Sequence, residues 1–226
     1  MENYKPYTIL NAAMSLDGKI ASKSRDSKIS SEKDLLRVHK LRSEVDAIMI
    51  GINTAINDDP LLTARYGYNA KPIRVIVDSN VRIRKDSRIV KSSKEIKTIL
   101  AIAENNIDKA RELEEHGIEV IAIGEHKVDL KRLLSILYSK NIKSLMLEGG
   151  GELNWSMLYN GLVDEIIISI APLIIGGRDA ITLVEGDGFT SINSCIRLHL
   201  KDVIRIDDEV IVRYNVINNI NQKSFY

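Results

Sequence analysis

Short apolar runs alternate with amphipathic segments along most of this chain. Runs rich in β-branched residues predict buried strands at residues 45–50, 73–78 and 98–103. Apolar positions at helical spacing predict a helix at residues 32–43, with Ser31 as its N-cap. By the same criteria, further strands are predicted at residues 7–13, 118–123, 144–147 and 164–171, and further helices at residues 108–116, 129–140 and 152–159.

The C-terminal part of the chain departs from this alternation. Two long apolar runs, residues 197–206 and 210–217, flank three acidic residues and predict a β-hairpin. Alternating strands and helices predict an α/β fold, with a mainly parallel central sheet flanked by helices and closed by this antiparallel hairpin. No repeat or linker interrupts the pattern, so we expect one domain with a folded core of about residues 6–217 and a frayed polar tail at 218–226.

Composition and charge exclude several classes of function. The chain has 226 residues with 32 basic and 31 acidic side chains, a balance that does not favour nucleic acid or an anionic membrane as partner. No apolar run is long enough for a membrane helix, and the polar N-terminus is unlike a signal peptide, so we expect a cytoplasmic protein. Cys195 is the only cysteine and the four histidines are scattered, so no metal site is predicted.

Residues 145–153, Leu-Met-Leu-Glu-Gly-Gly-Gly-Glu-Leu, combine a strand end, a glycine turn and a helix start. Glycine lets a ligand approach the backbone, and the first N–H groups of a helix attract an anion such as a pyrophosphate. The segment therefore indicates a nucleotide site at Gly149, Gly150 and Gly151, with Glu148 beside it. A tight turn without a ligand is the alternative, because the spacing is not that of the dinucleotide fingerprint.

Polar residues follow two other predicted strands. Thr54 and Asp58 come after the strand at 45–50, in a stretch that we expect to be a loop, and are candidates for nucleotide contact. Asp58-Asp59-Pro60 is also typical of a turn whose carboxylates cap backbone N–H groups. After the strand at 73–78, Asp78 suits the ribose hydroxyls of NADH, whereas Ser79 and Arg82 suit the 2′-phosphate of NADPH, which we favour.

Arg42 and Arg65 flank the strand at 45–50. Guanidinium groups bind phosphate monoesters well because each offers a planar fork of donors. A pair of solvated arginines is the alternative, and composition alone does not decide between the two.

Several motifs in order resemble the riboflavin-biosynthesis pyrimidine reductases, above all the stand-alone archaeal members. They are Asn-Ala-Ala-Met-Ser-Leu-Asp-Gly-Lys at 11–19, Val-His-Lys-Leu-Arg at 38–42, Asp-Asp-Pro-Leu-Leu-Thr-Ala-Arg at 58–65, and the glycine turn with Leu-Val-Asp-Glu at 162–165. The resemblance implies a dihydrofolate-reductase-like fold, a homodimer, and reduction of a phosphoribosylamino side chain by NADPH. It implies cofactor contacts at Thr54, Asp58, Ser79, Asn80, Val81, Arg82, Val128, Gly149, Gly150, Gly151, Glu152 and Leu153, and substrate contacts at Ser27, Arg42, Leu61, Arg65 and Glu148.

Two departures from the bacterial relatives matter. The chain lacks their zinc deaminase domain, which favours reduction before deamination and hence a 2,5-diaminopyrimidine substrate. It also has Asn11 where they carry a lysine. On this resemblance Glu148 is the predicted catalytic residue, which holds the ring-opened substrate. Two alternatives remain open: a pterin reductase of the same fold, such as one for dihydrofolate, and a non-enzymatic nucleotide-binding sensor.

Overall fold

The structure is a computed structural model in which residues 4–217 are described. Contacts divide the chain into two compact units. The first comprises Leu36–Glu148 with the N-terminal residues up to Tyr7, and the second comprises Thr8–Leu35 with the chain from Gly149 onward. The single domain of the sequence analysis stays a prediction, and the predicted frayed tail at 218–226 lies outside the described residues.

Strands and helices alternate as predicted. The strands are β1 (Tyr7–Ser15), β2 (Ala47–Gly51), β3 (Ile73–Val77), β4 (Thr98–Ile102), β5 (Ile118–Ala122), β6 (Ser144–Leu147), β7 (Glu165–Ala171), β8 (Arg197–Ile206) and β9 (Glu209–Ile217). The α-helices are α1 (Glu32–Ser43), α2 (Ile52–Asp58), α3 (Arg88–Lys91), α4 (Ile107–Glu114), α5 (Leu130–Ser139) and α6 (Gly151–Tyr159). The expectation of a loop after β2 was wrong, because α2 begins directly at Ile52, and α3 was not predicted.

The first unit contains a parallel sheet of strand order β5-β4-β3-β2-β6. Its strands are largely apolar on both faces: Ile48, Met49 and Ile50 are fully buried, as are Val75 and Ile76 on β3 and Ile99 to Ile102 on β4. Strands with both faces covered are typical of parallel sheets with helices packed on them. Ala110 and Leu113 of α4 join this core, so the amphipathic face of that helix covers the sheet.

Arg74 is the largest fully buried side chain of the first unit. Its guanidinium donates to the Thr98 hydroxyl, the Ser92 hydroxyl and the backbone carbonyls of Ile89 and Ile96, at 2.6 to 3.2 Å. Burial lowers the pKa of Arg74 to about 10, so the group stays cationic at neutral pH. A buried cation is tolerated here because polar acceptors surround it. Through its hydrogen bond to the carbonyl of Ile89, Arg74 joins β3 to α3.

The second unit contains the predicted hairpin. β1 pairs with β7 in parallel, and β7, β9 and β8 follow in antiparallel order. Glu165 on β7 is buried and accepts hydrogen bonds from Lys201 and Arg213 across the strands. The mainly parallel α/β architecture with a C-terminal antiparallel hairpin is therefore confirmed.

Two acidic side chains fix the loops of the second unit. Glu209, at the start of β9, accepts hydrogen bonds from the backbone N–H and the hydroxyl of Ser31 at 3.0 and 2.8 Å. The Ser31 hydroxyl in turn accepts the N–H of Asp34 at 3.2 Å, which confirms Ser31 as the cap of α1. Asp17 accepts the N–H groups of Ile175 and Gly176 at 3.0 and 2.7 Å and acts as a turn former. None of the helices within residues 4–217 has the length and hydrophobicity to cross a bilayer.

Candidate active site

The carboxyl ends of the parallel strands in the first unit carry most of the predicted site residues. Glu148 directly follows β6, and its backbone N–H donates to the carbonyl of Met49 at 2.9 Å, so it continues the sheet hydrogen bonding. Ligands bind beyond the carboxyl ends of strands in open α/β sheets because the loops there are free of sheet pairing. Glu148 therefore lies at an edge where a ligand can reach its carboxylate.

Arg42 and Glu148 form a bidentate ion pair. Nε of Arg42 donates to Oε1 of Glu148 and Nη2 donates to Oε2, each at 2.7 Å, and the side chains are 14% and 13% exposed. Burial alone would lower the pKa of Arg42, but the charge of Glu148 and the hydrogen bond to it raise that pKa overall. Arg42 is thus held in its charged form, and its two hydrogen bonds orient the carboxylate of Glu148.

The two predicted phosphate-binding arginines lie in different environments. Nη1 of Arg42 donates to the carbonyl of Thr63 at 3.2 Å, so each of its three nitrogens has a protein partner. Arg65, by contrast, is exposed and lies in the segment that follows Thr63. Arg65 is therefore better suited to a phosphate than Arg42. The predicted contact of each arginine with substrate stays a prediction.

His39 was missed as a site residue by the sequence analysis. It is 2% exposed, lies three residues before Arg42 on α1, and its Nδ1 accepts the backbone N–H of Arg65 at 3.0 Å. The ring of Tyr66 packs edge-on against it, with centroids 4.8 Å apart. The sequence shows that His39 and Arg42 lie on one helix face. It does not show that His39 contacts the backbone of Arg65, 26 residues further along the chain.

Leu61 precedes this segment and is half-buried. Its carbonyl accepts a long hydrogen bond, 3.5 Å, from Nη1 of Arg74. Leu62 has a left-handed backbone with φ of 51°. Leu61 thus lies in a loop anchored to the buried arginine, and its predicted contact with substrate stays a prediction.

The loop after β3 and the segment after β5 are joined. The hydroxyl of Ser79 accepts the N–H of Val128 at 3.1 Å. Nη2 of Arg82 donates to Oδ1 of Asn53 on α2 at 2.9 Å, while Asn80 is exposed and Val81 is left-handed with φ of 54°. The structure thus brings together the predicted cofactor residues Ser79, Asn80, Val81, Arg82 and Val128.

Asp78 does not face this surface. It is fully buried, accepts the N–H of Ile83 at 2.8 Å and also binds the N–H of Arg82. Burial raises its pKa, against the effect of these hydrogen bonds. Its role is to shape the loop beneath Ser79 and Arg82, so the ribose contact considered for Asp78 has no geometric support.

Thr54 and Asp58 lie on α2 rather than in a loop; Thr54 is half-buried and Asp58 exposed. Asp59 follows α2 in a left-handed conformation with φ of 39°, and its carboxylate accepts the N–H of Arg88 at 2.8 Å. No turn forms at Asp58-Asp59-Pro60, but the predicted capping of a backbone N–H by a carboxylate is confirmed for Asp59, whose partner is the distant Arg88.

In the second unit the glycine turn leads into α6. Gly150 is the N-cap of α6, no side chain caps the helix, and the Gly149–Gly150 peptide bond is cis. A Cβ on Gly151 would lie 2.7 Å from the carbonyl of Thr182, so the following chain packs closely here. The first turn of α6, with exposed Glu152 and buried Leu153, thus keeps backbone donors free of side-chain caps, as an anion requires.

Ser27 lies in an exposed loop of the same unit, and its carbonyl accepts the N–H of Ile29 at 2.8 Å. Its predicted substrate contact stays a prediction.

Chemically, the first unit offers two polar groups of different character. One group combines a charged carboxylate, its arginine partner and the exposed cation of Arg65, which suits a phosphorylated ligand rich in hydroxyls. The other, at the ends of β3 and β5, offers the guanidinium of Arg82 with the hydroxyl of Ser79, which suits a phosphate on a ribose.

Comparison with known proteins identifies the family of the chain. Residues 6–212 match the family described as the RibD C-terminal domain. The chain is 48% identical to the 2,5-diamino-6-ribosylamino-4(3H)-pyrimidinone 5′-phosphate reductase of Methanothermobacter thermautotrophicus, over 94% of this chain and 99% of that protein. Among solved structures, RibD from Acinetobacter baumannii superposes with a TM-score of 0.82 at 29% identity, covering 94% of this chain and 58% of the RibD chain.

The dihydrofolate-reductase-like fold is also confirmed. Dihydrofolate reductase from Enterococcus faecalis superposes with a TM-score of 0.54 at 11% identity, over 95% of this chain and 99% of that one. At such low identity the likeness concerns the fold alone.

Proposed function

The chain belongs to the RibD C-terminal domain family, and we propose that it reduces 2,5-diamino-6-ribosylamino-4(3H)-pyrimidinone 5′-phosphate in riboflavin biosynthesis. The product carries a ribitylamino group in place of the ribosylamino group. One observation carries the proposal: the bidentate Arg42–Glu148 pair lies next to the segment that bears the exposed Arg65. A carboxylate for sugar hydroxyls and a cation for a 5′-phosphate are what this substrate requires.

The reaction needs a small number of protein groups. Opening of the ribose ring of the substrate, an N-glycoside, gives an imine between C1′ and the amino nitrogen. A hydride adds to C1′, a proton adds to nitrogen, and the double bond becomes single. Each oxygen of Glu148 accepts one hydrogen bond from Arg42 and keeps a lone pair for a substrate hydroxyl. We assign Glu148 to holding the opened sugar, which orients C1′ for reduction.

The hydride is supplied by a nicotinamide cofactor when it is bound, and we propose NADPH. The residues present fit it: Asp78 is fully buried, with Oδ2 bound to backbone N–H groups and Oδ1 4.0 Å from Nε of Arg82, whereas Ser79 and Arg82 lie nearer the surface and suit a 2′-phosphate. Thr54, Asp58, Asn80, Val81 and Val128 lie on the same or adjoining elements. For the second unit, taken by itself, we propose an anion site at the uncapped start of α6, Gly149 to Leu153.

The test is a coupled pair of measurements on the purified protein. Absorbance at 340 nm is followed with NADPH and the enzymatically prepared pyrimidine, and again with dihydrofolate in its place. We expect loss of signal with the pyrimidine alone. Consumption with dihydrofolate alone would make the protein a pterin reductase, and NADPH binding without consumption would make it a nucleotide sensor.

Cofactor choice is tested separately. Replacement of Arg82 by Ala is expected to raise the KM for NADPH while leaving that for NADH unchanged, because only NADPH carries the 2′-phosphate. Equal changes for both cofactors would contradict the assignment of Arg82.

We also propose that two copies of the chain associate through β8. Leu198, Leu200, Val203 and Ile204 on this strand are 41–54% exposed, and β8 lies at the end of the strand order within the described residues. Apolar strands at a sheet edge are usually covered by a partner. Light scattering should give a dimer, and replacement of Val203 by Lys should give a monomer; a monomeric unmodified protein would contradict the proposal.

A further inference from the structure

Two side chains of α1 hold the backbone of the segment that bears Arg65. Nδ1 of His39 accepts the N–H of Arg65 at 3.0 Å, and Nη1 of Arg42 donates to the carbonyl of Thr63 at 3.2 Å. Because His39 and Arg42 are three residues apart, they project from the same face of the helix. The segment is therefore fastened to α1 by one acceptor and one donor.

The segment needs such support. Leu62 and Tyr66 have left-handed backbones, with φ of 51° and 58°. Residues other than glycine rarely adopt this conformation, and they keep it only where surrounding contacts enforce it. Tyr66 packs edge-on against the buried ring of His39, so the histidine contacts the segment at two adjacent residues.

The hydrogen bond fixes the protonation state of His39. A ring nitrogen that accepts an N–H carries no proton, so the imidazole is neutral with its proton on Nε2. Burial, Arg42 and Arg65 lower its pKa below the usual 6.5, whereas Glu148 and a backbone hydrogen bond with Thr63 act in the opposite direction. Protonation would place a second donor against the N–H of Arg65 and break the contact.

We propose that His39 is a positioning residue for the substrate phosphate, which it serves by holding Arg65 in place through the backbone. The inference rests on the proposed function, because the ligand of Arg65 is taken to be the 5′-phosphate. It assigns to His39 no contact with substrate or cofactor. Only the neutral ring of His39 can accept the N–H of Arg65 and hold it in place. Substrate binding therefore weakens as the pH falls through the pKa of His39.

Two variants separate this role from simple packing. His39→Asn removes the titrating ring but keeps an acceptor at a position close to that of Nδ1. His39→Phe keeps an aromatic ring against Tyr66 but has no acceptor. His116→Phe, at an exposed histidine, is the matched control for the substitution itself, and thermal unfolding checks that all three variants are folded.

Steady-state kinetics are measured from pH 5.5 to 8.5 at saturating NADPH. We expect His39→Phe to raise the KM for the pyrimidine about tenfold at every pH with little change in kcat, as for a displaced charge-assisted contact. Wild type should show an additional rise in KM below pH 6.5 that His39→Asn lacks. The phosphate of the substrate titrates in the same range, but it does so equally in both proteins, so their difference reports His39 alone.

A second measurement does not depend on turnover. In NMR spectra of the wild-type protein, the amide signal of Arg65 should shift with the pH titration of the His39 ring. An Arg65 signal that ignores this titration, or an unchanged KM in His39→Phe, would overturn the proposal. Lack of turnover with the pyrimidine would instead overturn the proposed function, and the NMR titration would then decide alone whether His39 holds Arg65.

Discussion

Arg42 and Glu148, which lie 106 residues apart in the chain, meet in a planar, two-bond ion pair with both donor–acceptor distances at 2.7 Å. The pair joins the last turn of α1 to the end of β6. It changes the interpretation of Arg42, because a guanidinium that orients a carboxylate and a backbone carbonyl has few donors left for a phosphate. We therefore assign the reactive end of the proposed substrate to Glu148, which Arg42 orients, and its phosphate to Arg65.

The first prediction concerns Glu148→Gln. The amide preserves the shape of the side chain but removes its charge, so Arg42 loses its ionic partner in a largely buried place. We expect kcat for the pyrimidine to fall by about a hundredfold or more, since the group that orients the opened sugar is weakened, while the dissociation constant for NADPH stays nearly unchanged. Stopped-flow reduction and fluorescence titration measure the two quantities.

Arg42 supplies the matched comparison. Arg42→Met should lower the free energy of unfolding by about 2 kcal/mol, less than for a fully buried pair because both side chains are partly exposed. The double variant with Glu148→Gln should lose less than the sum of the single variants. Additive losses would show that the ion pair contributes nothing to stability.

The second prediction concerns Arg65→Ala. Arg65 is exposed and its backbone is held by His39, so truncation removes the cation without disturbing a buried contact. Loss of a charge-assisted contact to phosphate costs about 1.5–3 kcal/mol, so the KM for the pyrimidine should rise by roughly tenfold to a hundredfold. Arg111→Ala, on the exposed face of α4, is the control. Equal weakening of NADPH and pyrimidine binding would argue against a phosphate role.

Most of the fold could be predicted from the sequence because hydrophobic periodicity reports which face of an element is buried. β6 and β8 were predicted with their observed bounds, and so was α1, whose N-cap Ser31 was visible as well. α2 was missed because it has only seven residues, Ile52–Asp58, and follows Gly51, which offers no side-chain cap to signal a helix start. A segment this short, without a capping residue, cannot be distinguished from a loop by its sequence.

The candidate site was predictable only as a set of separate residues. Glu148 was identified from its place before the glycine turn, and Arg42 from its shape, but their pairing depends on the packing of α1 against the sheet. The same holds for the contact of Ser79 with Val128, which lie 49 residues apart. Asp78 shows the opposite case: its position at a strand end suggested a ligand contact, and burial assigned it to the backbone instead.

The third prediction concerns the pH dependence contributed by Asp17. A hydrogen bond from the Ser15 hydroxyl, followed by those from the N–H groups of Ile175 and Gly176, lowers the pKa of Asp17 from 3.8 to about 2. A carboxyl whose folded pKa is depressed stabilises the fold above its unfolded pKa and loses that effect as the pH falls through the folded value. The contribution is therefore complete above about pH 4 and vanishes towards pH 2.

Urea unfolding of wild type and Asp17→Asn from pH 2 to 6 tests this dependence. The difference between their urea midpoints should be constant near pH 6 and should shrink to zero as the pH approaches 2. Asp187→Asn, at another exposed aspartate of the second unit, serves as control. A difference that does not change with pH would mean that the charge of Asp17 is not what holds the loop at Ile175 and Gly176.

The last prediction concerns Gly124, which follows β5 and shapes the segment that carries Val128. Its φ is +82°, and a Cβ there would lie 2.2 Å from the carbonyl of Lys127. Gly124→Ala therefore strains the backbone and forces the segment to move, which should break the hydrogen bond from Val128 to Ser79. We expect a loss of about 2–3 kcal/mol in the free energy of unfolding, with NADPH binding weakened more than substrate binding.

Gly188→Ala isolates the backbone effect in that experiment, because Gly188 also has a positive φ, +70°, but no atom within 4 Å of an added Cβ. Its loss should be about 1 kcal/mol, the conformational part alone, with unchanged NADPH affinity. Chemical denaturation and fluorescence titration of both variants give the comparison. If Gly124→Ala lost no more stability than Gly188→Ala and bound NADPH as wild type does, the close contact with Lys127 would have no part in shaping the cofactor segment, and Val128 would have to be positioned by Ser79 alone.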